Sequence, residues 1–342
     1  MWKDSVAGYV GNGLVNIHKL REGLLGGWYE IDGYIIFFVY EPKKRKIVST
    51  RIKDRVFQRS MSDNYLYKEL TKHFIYDNAA CLRGRGTDWC RKRFTIHLQE
   101  AMREYGPSAE ILKCDVHDFF GSTTHEDAIR SVRKRIKDEW VASHVQHIIE
   151  SFNQGKNPNV GLGLGSEITQ LVELSVLDDL DHFIKEELHI KHYIRYMDDF
   201  ILIHPDHQYL LYCKERIREK LAELHLEFSE KKTIIQPITQ RVRFLGFSYE
   251  VTPTAKVIKR LLPENIKDER RKLKKLVCRA AQGLMTKKQV DACYQGWKAH
   301  AAKGCDHNEI LKMDAYYKNL WKEYYYVCKA QNSEGASRRG AS

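Results

Sequence analysis

Two adjacent carboxylates, Asp198 and Asp199, sit at the centre of "YIRYMDDFILIH" (Tyr193 to His204), a stretch that otherwise has the apolar pattern of buried β-structure. Ionised groups in such a place are costly unless something neutralises them. A third carboxylate, Asp115, lies in the alternating segment "ILKCDV", where Leu112, Cys114 and Val116 share one face and Ile111, Lys113 and Asp115 share the other. The alternation predicts that Asp115 ends a strand on its more open face. Three carboxylates from a strand end and a hairpin turn make a pocket that cannot stay fully ionised and empty. Divalent cations resolve the conflict: Mg²⁺ prefers oxygen ligands and is commonly held by one or two carboxylates together with substrate phosphates. Two such ions can activate a hydroxyl and stabilise the leaving group of an in-line displacement at phosphorus. The turn that carries the pair has no glycine, so backbone strain is expected there.

The elements that must position these groups follow from the pattern. Upstream, "YIIFFVY" (Tyr34 to Tyr40) reads as a β-run and is followed by a basic loop, Glu41 to Arg55. "CLRGRGTDWCRKRF" (Cys81 to Phe94) alternates small residues with arginines before turning helical. Helical stretches cover His125 to Phe152. A Gly-rich turn, Asn159 to Gln170, leads into a helix through Leu188, and another helix follows the hairpin over His207 to Leu226. Leu226 to Ile238 and Arg241 to Val251 read as short strands, Pro263 to Tyr325 as Lys/Arg-rich helices, and Asn332 to Ser342 as a disordered tail.

Lys and Arg total 57 against 45 acids in 342 residues, a net charge of +12, which favours a polyanionic partner such as nucleic acid. No apolar run approaches the roughly 18 to 20 residues a membrane span needs. The start, Met1-Trp2-Lys3-Asp4, lacks the apolar core of a signal peptide. A soluble cytoplasmic protein without membrane contact is therefore expected. The eight cysteines are scattered without a CxxC pair, which points to reduced thiols rather than disulfides or a zinc ribbon.

The ordered series of motifs resembles the reverse transcriptases, in particular the bacterial ones of the group II intron and diversity-generating retroelement type. "LKCDVHDFFGST" is similar to their first palm motif, "GLGLGSEITQ" to the second, "YIRYMDDF" to the third, "LEFSEKKT" to the fourth and "FLGF" to the fifth. "EPKKRKIVSTRIKDRVFQ" and "FIYDNAACLRGRGT" resemble the finger motifs, so that the likeness runs from about Tyr40 to Val251. It implies an α+β right-hand polymerase. Its fingers and N-terminal region would span 1–108, and its palm of antiparallel sheet packed on helices 109–251, with a helical insertion at about 125–158. A helical thumb at 252–330 and the tail at 331–342 would complete it.

The same resemblance implies roles. Asp115, Asp198 and Asp199 would bind two catalytic Mg²⁺ ions, with Mn²⁺ as a possible substitute, and Lys232 would protonate departing pyrophosphate. Lys43 and Arg45 would grip the incoming deoxynucleoside triphosphate, Phe120 would lie under its sugar and exclude a 2′-hydroxyl, and Gln170 would lie against the nucleotide. Phe244, Leu245 and Gly246 would brace the primer end, while Arg83 and Arg85 would contact the nucleic-acid backbone. The second motif departs from the usual pattern, with Gly163 in place of Pro, Thr169 in place of Ser, and Glu173-Leu174 in place of Ala-Asn.

The implied activity is RNA-directed DNA synthesis by two-metal-ion nucleotidyl transfer, on a structured noncoding RNA that serves as template, primer or both. A bacterial antiphage defence system is one setting. A diversity-generating retroelement, with a small basic accessory protein or a homo-oligomer as partner, is the alternative. A non-catalytic RNA-binding protein of polymerase shape is a rival of another class; the three aspartates and Lys232 argue against it. An RNA-synthesising polymerase is disfavoured by Phe120.

Overall fold

The computed structural model describes residues 2–40, 44–152, 157–304 and 307–330. The proposed tail at 331–342 lies outside the described residues. The chain divides into two compact units, one of residues 1–97 and 109–236, the other of residues 98–108 and 237–342. Among the described residues, no helix is long and apolar enough to cross a membrane.

The first unit begins with two helices, Trp2–Gly11 and Gly13–Leu25, which no motif had singled out. The apolar run then forms strand β1 (Tyr34–Val39), paired antiparallel with β2 (Arg45–Thr50). In its described part, the basic stretch read as a loop is thus β2 followed by the helix Ile52–Met61. The β-branched run Ile47-Val48 and Thr50, facing a β-rich partner, outweighs the loop-like charge of its flanks.

The remaining strands of this unit are β3 (Glu110–Asp115), β4 (His192–Tyr196), β5 (Asp199–His204) and β6 (Ile234–Pro237), in the order β4-β5-β3-β6. Leu112, Cys114, Phe200 and Leu202 join one core with the helices His125–Arg135, Glu139–Glu150, Glu167–Val176 and His207–Glu223. Ile111 and Ile201, on the opposite face, are equally buried. The face of β3 expected to be open is therefore covered, and Asp115 itself is only 8% exposed. Alternation cannot distinguish a half-buried strand from one packed on both sides when the second face also carries isoleucines.

In the second unit, β7 (Val242–Phe244), β8 (Phe247–Val251) and β9 (Val257–Leu261) form an antiparallel sheet. Arg241 to Val251, read as one strand, is a hairpin. Phe244 pairs with Phe247, and the intervening Leu245 and Gly246 both take positive φ, 45° and 84°, the pattern of a type I′ turn. The predicted helices are Pro263–Ala281, Lys287–Ala301 and His307–Asn319, packed through Leu273, Val277, Val290, Tyr294, Met313 and Tyr317. The second of them starts at a capping box between Thr286 and Gln289.

One polar cluster is sealed inside the first unit. Arg195 of β4 and Asp181 are both wholly buried and meet through two hydrogen bonds, Nε to Oδ1 at 2.7 Å and Nη2 to Oδ2 at 2.5 Å. Tyr193 donates to the same Asp181 at 2.6 Å, and Arg195 also donates to the carbonyls of Met197 and Leu174. A buried pair of this kind is worth little against an apolar replacement, but removal of one partner strands the other. Arg195→Ala should therefore destabilise the fold by about 3–5 kcal/mol. Arg195→Met combined with Asp181→Leu should lose clearly less; denaturant titration of the variants measures both.

Candidate active site

The hairpin between β4 and β5 is as tight as a hairpin can be. Tyr196 pairs with Asp199, which leaves Met197 and Asp198 as a two-residue loop. Met197 carries φ of 59° while Asp198 does not have positive φ, as at the first central position of a type II′ turn, where glycine is usual. The strain expected from the missing glycine is thus present, and the Arg195 guanidinium holds the Met197 carbonyl at 3.0 Å. Asp199 stands directly across from Asp115 in the β3–β5 register, and the Val116 amide donates to the Asp198 carbonyl at 3.1 Å. These pairings gather the three aspartates at one end of the sheet.

The charges respond to this crowding. Burial pushes the Asp199 carboxyl up to about 7; Asp115 and Asp198 add to the shift, and Lys113, whose Nζ lies 3.6 Å from Asp199 Oδ2, opposes it. Burial also raises Asp198, with Asp115 adding and Lys232 and Arg45 opposing. Asp199 Oδ1 is buried with no hydrogen-bond partner among the described residues. A bare oxygen among three carboxylates, with no sulfur or imidazole in the set, is a donor arrangement that suits a hard divalent cation.

Lys232 reaches this cluster through the fourth motif. Val116 bridges to Phe228, the His117 amide donates to the Glu227 carbonyl, and the Ser229 amide donates to the Asp115 carbonyl at 2.7 Å. A turn closed by the Lys232 and Thr233 amides onto the Ser229 carbonyl then aims the lysine back, and its Nζ donates to Asp115 Oδ1 at 2.6 Å.

The sequence between 41 and 249 matches the family described as Reverse transcriptase (RNA-dependent DNA polymerase), which is more than half of the chain. The chain belongs to the reverse transcriptase family. Solved structures agree on the fold. Telomerase from Candida albicans, in complex with a TWJ fragment of telomeric RNA, superposes with a TM-score of 0.53 at 11% identity, over 72% of this chain and 51% of that one. Apo telomerase from Candida tropicalis gives 0.52 at 13% identity, over 67% and 49%. The chain thus spans about half the length of the telomerase chains it matches. No curated protein matches its sequence.

The other positions implied by the reverse-transcriptase motifs are distributed as follows. Arg45 is exposed at the start of β2, and its charge acts on Asp198; Lys43 lies outside the described residues. Phe120 is half-buried in the short helix Phe119–Ser122, which follows Asp118 in a left-handed conformation, and its carbonyl accepts from the Leu162 amide at 2.7 Å. Gln170 Oε1 faces Cys81 Sγ at 3.3 Å. Arg83 is tied to Asp63 and lies over the Tyr67 ring, while Arg85 stacks on Tyr76 and Trp89 and donates to the carbonyls of Tyr76 and Asn78. Both guanidiniums are engaged within the protein, a role that the alternation of small residues and arginines did not reveal. Phe244, Leu245 and Gly246 form the β7–β8 turn of the second unit.

The unusual second motif has a steric basis. A Cβ on Gly163 would come within 2.3 Å of the Phe152 ring, so that the proline usual in this motif has no room. Gly165 takes φ of 130° and lets the loop press against β2, whose Val48 amide donates to the Leu164 carbonyl at 2.7 Å. Of the residues that shape the site, Lys113 was missed. Its shared face with Asp115 was the available signal, two residues apart on one strand.

The raised Asp199 carboxyl has a thermodynamic consequence. Its ordinary value is 3.8 and its folded value about 7, so the folded state keeps the proton longer and the metal-free fold loses stability as pH rises between them. A fifth of the side chain still reaches solvent, which limits the loss to on the order of 2–4 kcal/mol. Thermal melts in chelator should show Asp199→Asn gaining on the native protein from pH 4 to 7, with the difference flat above.

Proposed function

We propose that this chain is an RNA-directed DNA polymerase that synthesises cDNA by nucleotidyl transfer. The observation that carries this reading is the register of Asp115 against Asp199, beside Asp198 in a strained two-residue turn. Mg²⁺, with Mn²⁺ as a substitute, would be held by these three carboxylates and would activate the primer 3′-hydroxyl while stabilising the departing pyrophosphate. Lys232, which rests on Asp115 in this structure, would turn to the leaving group as the general acid. Arg45 and Lys43 would hold the triphosphate by charge-assisted contacts. Phe120 would meet the sugar and Gln170 the base pair, and the Phe244–Gly246 turn would brace the primer end. Arg83 and Arg85 would keep their aromatic stacks and offer their remaining edges to the backbone. In this reading the fingers end near residue 108, the palm near 251 and the thumb near 330.

The template we infer is a structured noncoding RNA recognised through backbone and 2′-hydroxyls, consistent with the net charge of +12. The Candida albicans telomerase, in complex with a TWJ fragment of telomeric RNA, offers a parallel for an RNA partner. The unusual second motif, with Gly163, Thr169 and Glu173, shifts the reading toward a cytoplasmic bacterial enzyme in antiphage defence, with a diversity-generating retroelement as the second reading.

The purified protein should extend a primer on RNA with deoxynucleotides and Mg²⁺ or Mn²⁺. Asp198→Ala with Asp199→Ala should abolish extension without loss of thermal stability, because removal of the carboxylates relieves their repulsion. Undiminished synthesis by that variant would refute the site. Phe120→Ala should raise ribonucleotide incorporation relative to deoxynucleotide. RNA that copurifies with the chain should be dominated by one structured species, and its affinity should fall on the order of a hundredfold or more between 50 and 200 mM salt. Recovery of random cellular RNA alone would refute a dedicated partner.

A further inference from the structure

Glu173 is a charged residue type with no place in the chemistry above, yet it is wholly buried in the helix Glu167–Val176. Its Oε2 lies 2.9 Å from Thr123 Oγ1, and the same Thr123 oxygen lies 2.9 Å from the Phe119 carbonyl. A threonine hydroxyl has one hydrogen, and a carbonyl can only accept. If the hydroxyl donates to Phe119, the second contact needs a proton on Glu173.

Two further observations agree with a protonated side chain. Glu173 Oε1 is buried with no hydrogen-bond partner among the described residues, a state far more costly for a carboxylate than for the carbonyl oxygen of an acid. Burial pushes its carboxyl well above the usual range, and among the described residues the charge that acts on it, Asp198, is negative.

Thr123 is also where three segments meet. Its hydroxyl and its amide both bond to the Phe119 carbonyl, which closes the short helix that carries Phe120. Its carbonyl accepts from the Gly161 amide, beside the Leu162 amide that holds the Phe120 carbonyl. We propose that Glu173 is a positioning residue, a neutral carboxylic acid that donates its proton to Thr123 and so locks the turn under Phe120, fixing the ring that discriminates the sugar. This rests on the reading of Phe120 as the sugar-facing residue.

The test measures the ratio of ribonucleotide to deoxynucleotide incorporation by the full chain. Glu173→Gln keeps a donor toward Thr123 and should hold the ratio within about twofold, whereas Glu173→Leu and Thr123→Val should each raise it about fivefold, the equivalent of one lost hydrogen bond. The double variant should do no more than the larger single, since the two side chains act as one unit. A Gln variant as permissive as Leu would overturn the proposal, as would an unmoved ratio in Thr123→Val when Phe120→Ala raises it.

If Phe120→Ala itself leaves the ratio unchanged, the reading of Phe120 is what fails, and an infrared spectrum decides the rest. The native protein minus Glu173→Gln, with ¹³C-labelled glutamate, should show a neutral-acid carbonyl band. A carboxylate pair there instead overturns the assignment.

Discussion

The turn that carries Asp198 depends on one buried guanidinium. Arg195 is fully enclosed, and each of its contacts ties a different element to the hairpin: Asp181 on one helix, the Leu174 carbonyl on another, and the Met197 carbonyl inside the turn itself. Its backbone does more, since the Arg195 amide donates to the Asp77 carbonyl and its own carbonyl accepts from Ala79. A residue in positive φ without glycine persists only where its surroundings over-determine it. Here Met197 is held from behind by a charge whose hydrogen bonds cannot be re-formed with water.

That rigidity is what allows the aspartates to remain together. Three carboxylates at paired strand ends would separate if the turn could relax, or would take up protons. The buried bonds to the turn oppose the first, and burial favours the second by raising the Asp199 carboxyl. Lys113 and Lys232 each face a different carboxylate, at 3.6 Å and 2.6 Å. In a crowded acidic pocket each lysine serves as a counter-charge to the carboxylate it faces.

What could be read from the sequence was set by locality. The aspartate pair, the β1 run and the long helices declare themselves by patterns a few residues long, and they fold as those patterns ask. The hairpin at Leu245-Gly246 was missed because one of its two left-handed residues is a leucine, which no turn rule flags. The coverage of the second face of β3, the placement of Arg83 over Tyr67, and the Thr123–Glu173 contact join residues distant in sequence. Composition and periodicity carry no information about such pairs; only the partner's position does. The family motifs named Asp115, Asp198, Asp199 and Lys232 together, and the structure brings those four into one cluster.

The departures in the second motif are best understood as matched pairs rather than as decay. Gly163 stands where it does because Phe152 fills the space a side chain would take. Glu173 stands where Thr123 offers its buried side chain a hydrogen-bond partner at 2.9 Å. In both cases the unusual residue and its partner come from separate segments, and each would be costly alone: a cavity beside a glycine, or a buried acid without an acceptor. Both pairs brace the loop from Gly161 to Gly165, which hydrogen-bonds to β2 on one side and to the Phe120 turn on the other. A change in either pair is therefore transmitted to the strand that begins at Arg45 and to the ring of Phe120, without any contact to the carboxylates. Variation in this motif can then shift the Phe120 turn and β2 while the geometry of the three aspartates is preserved.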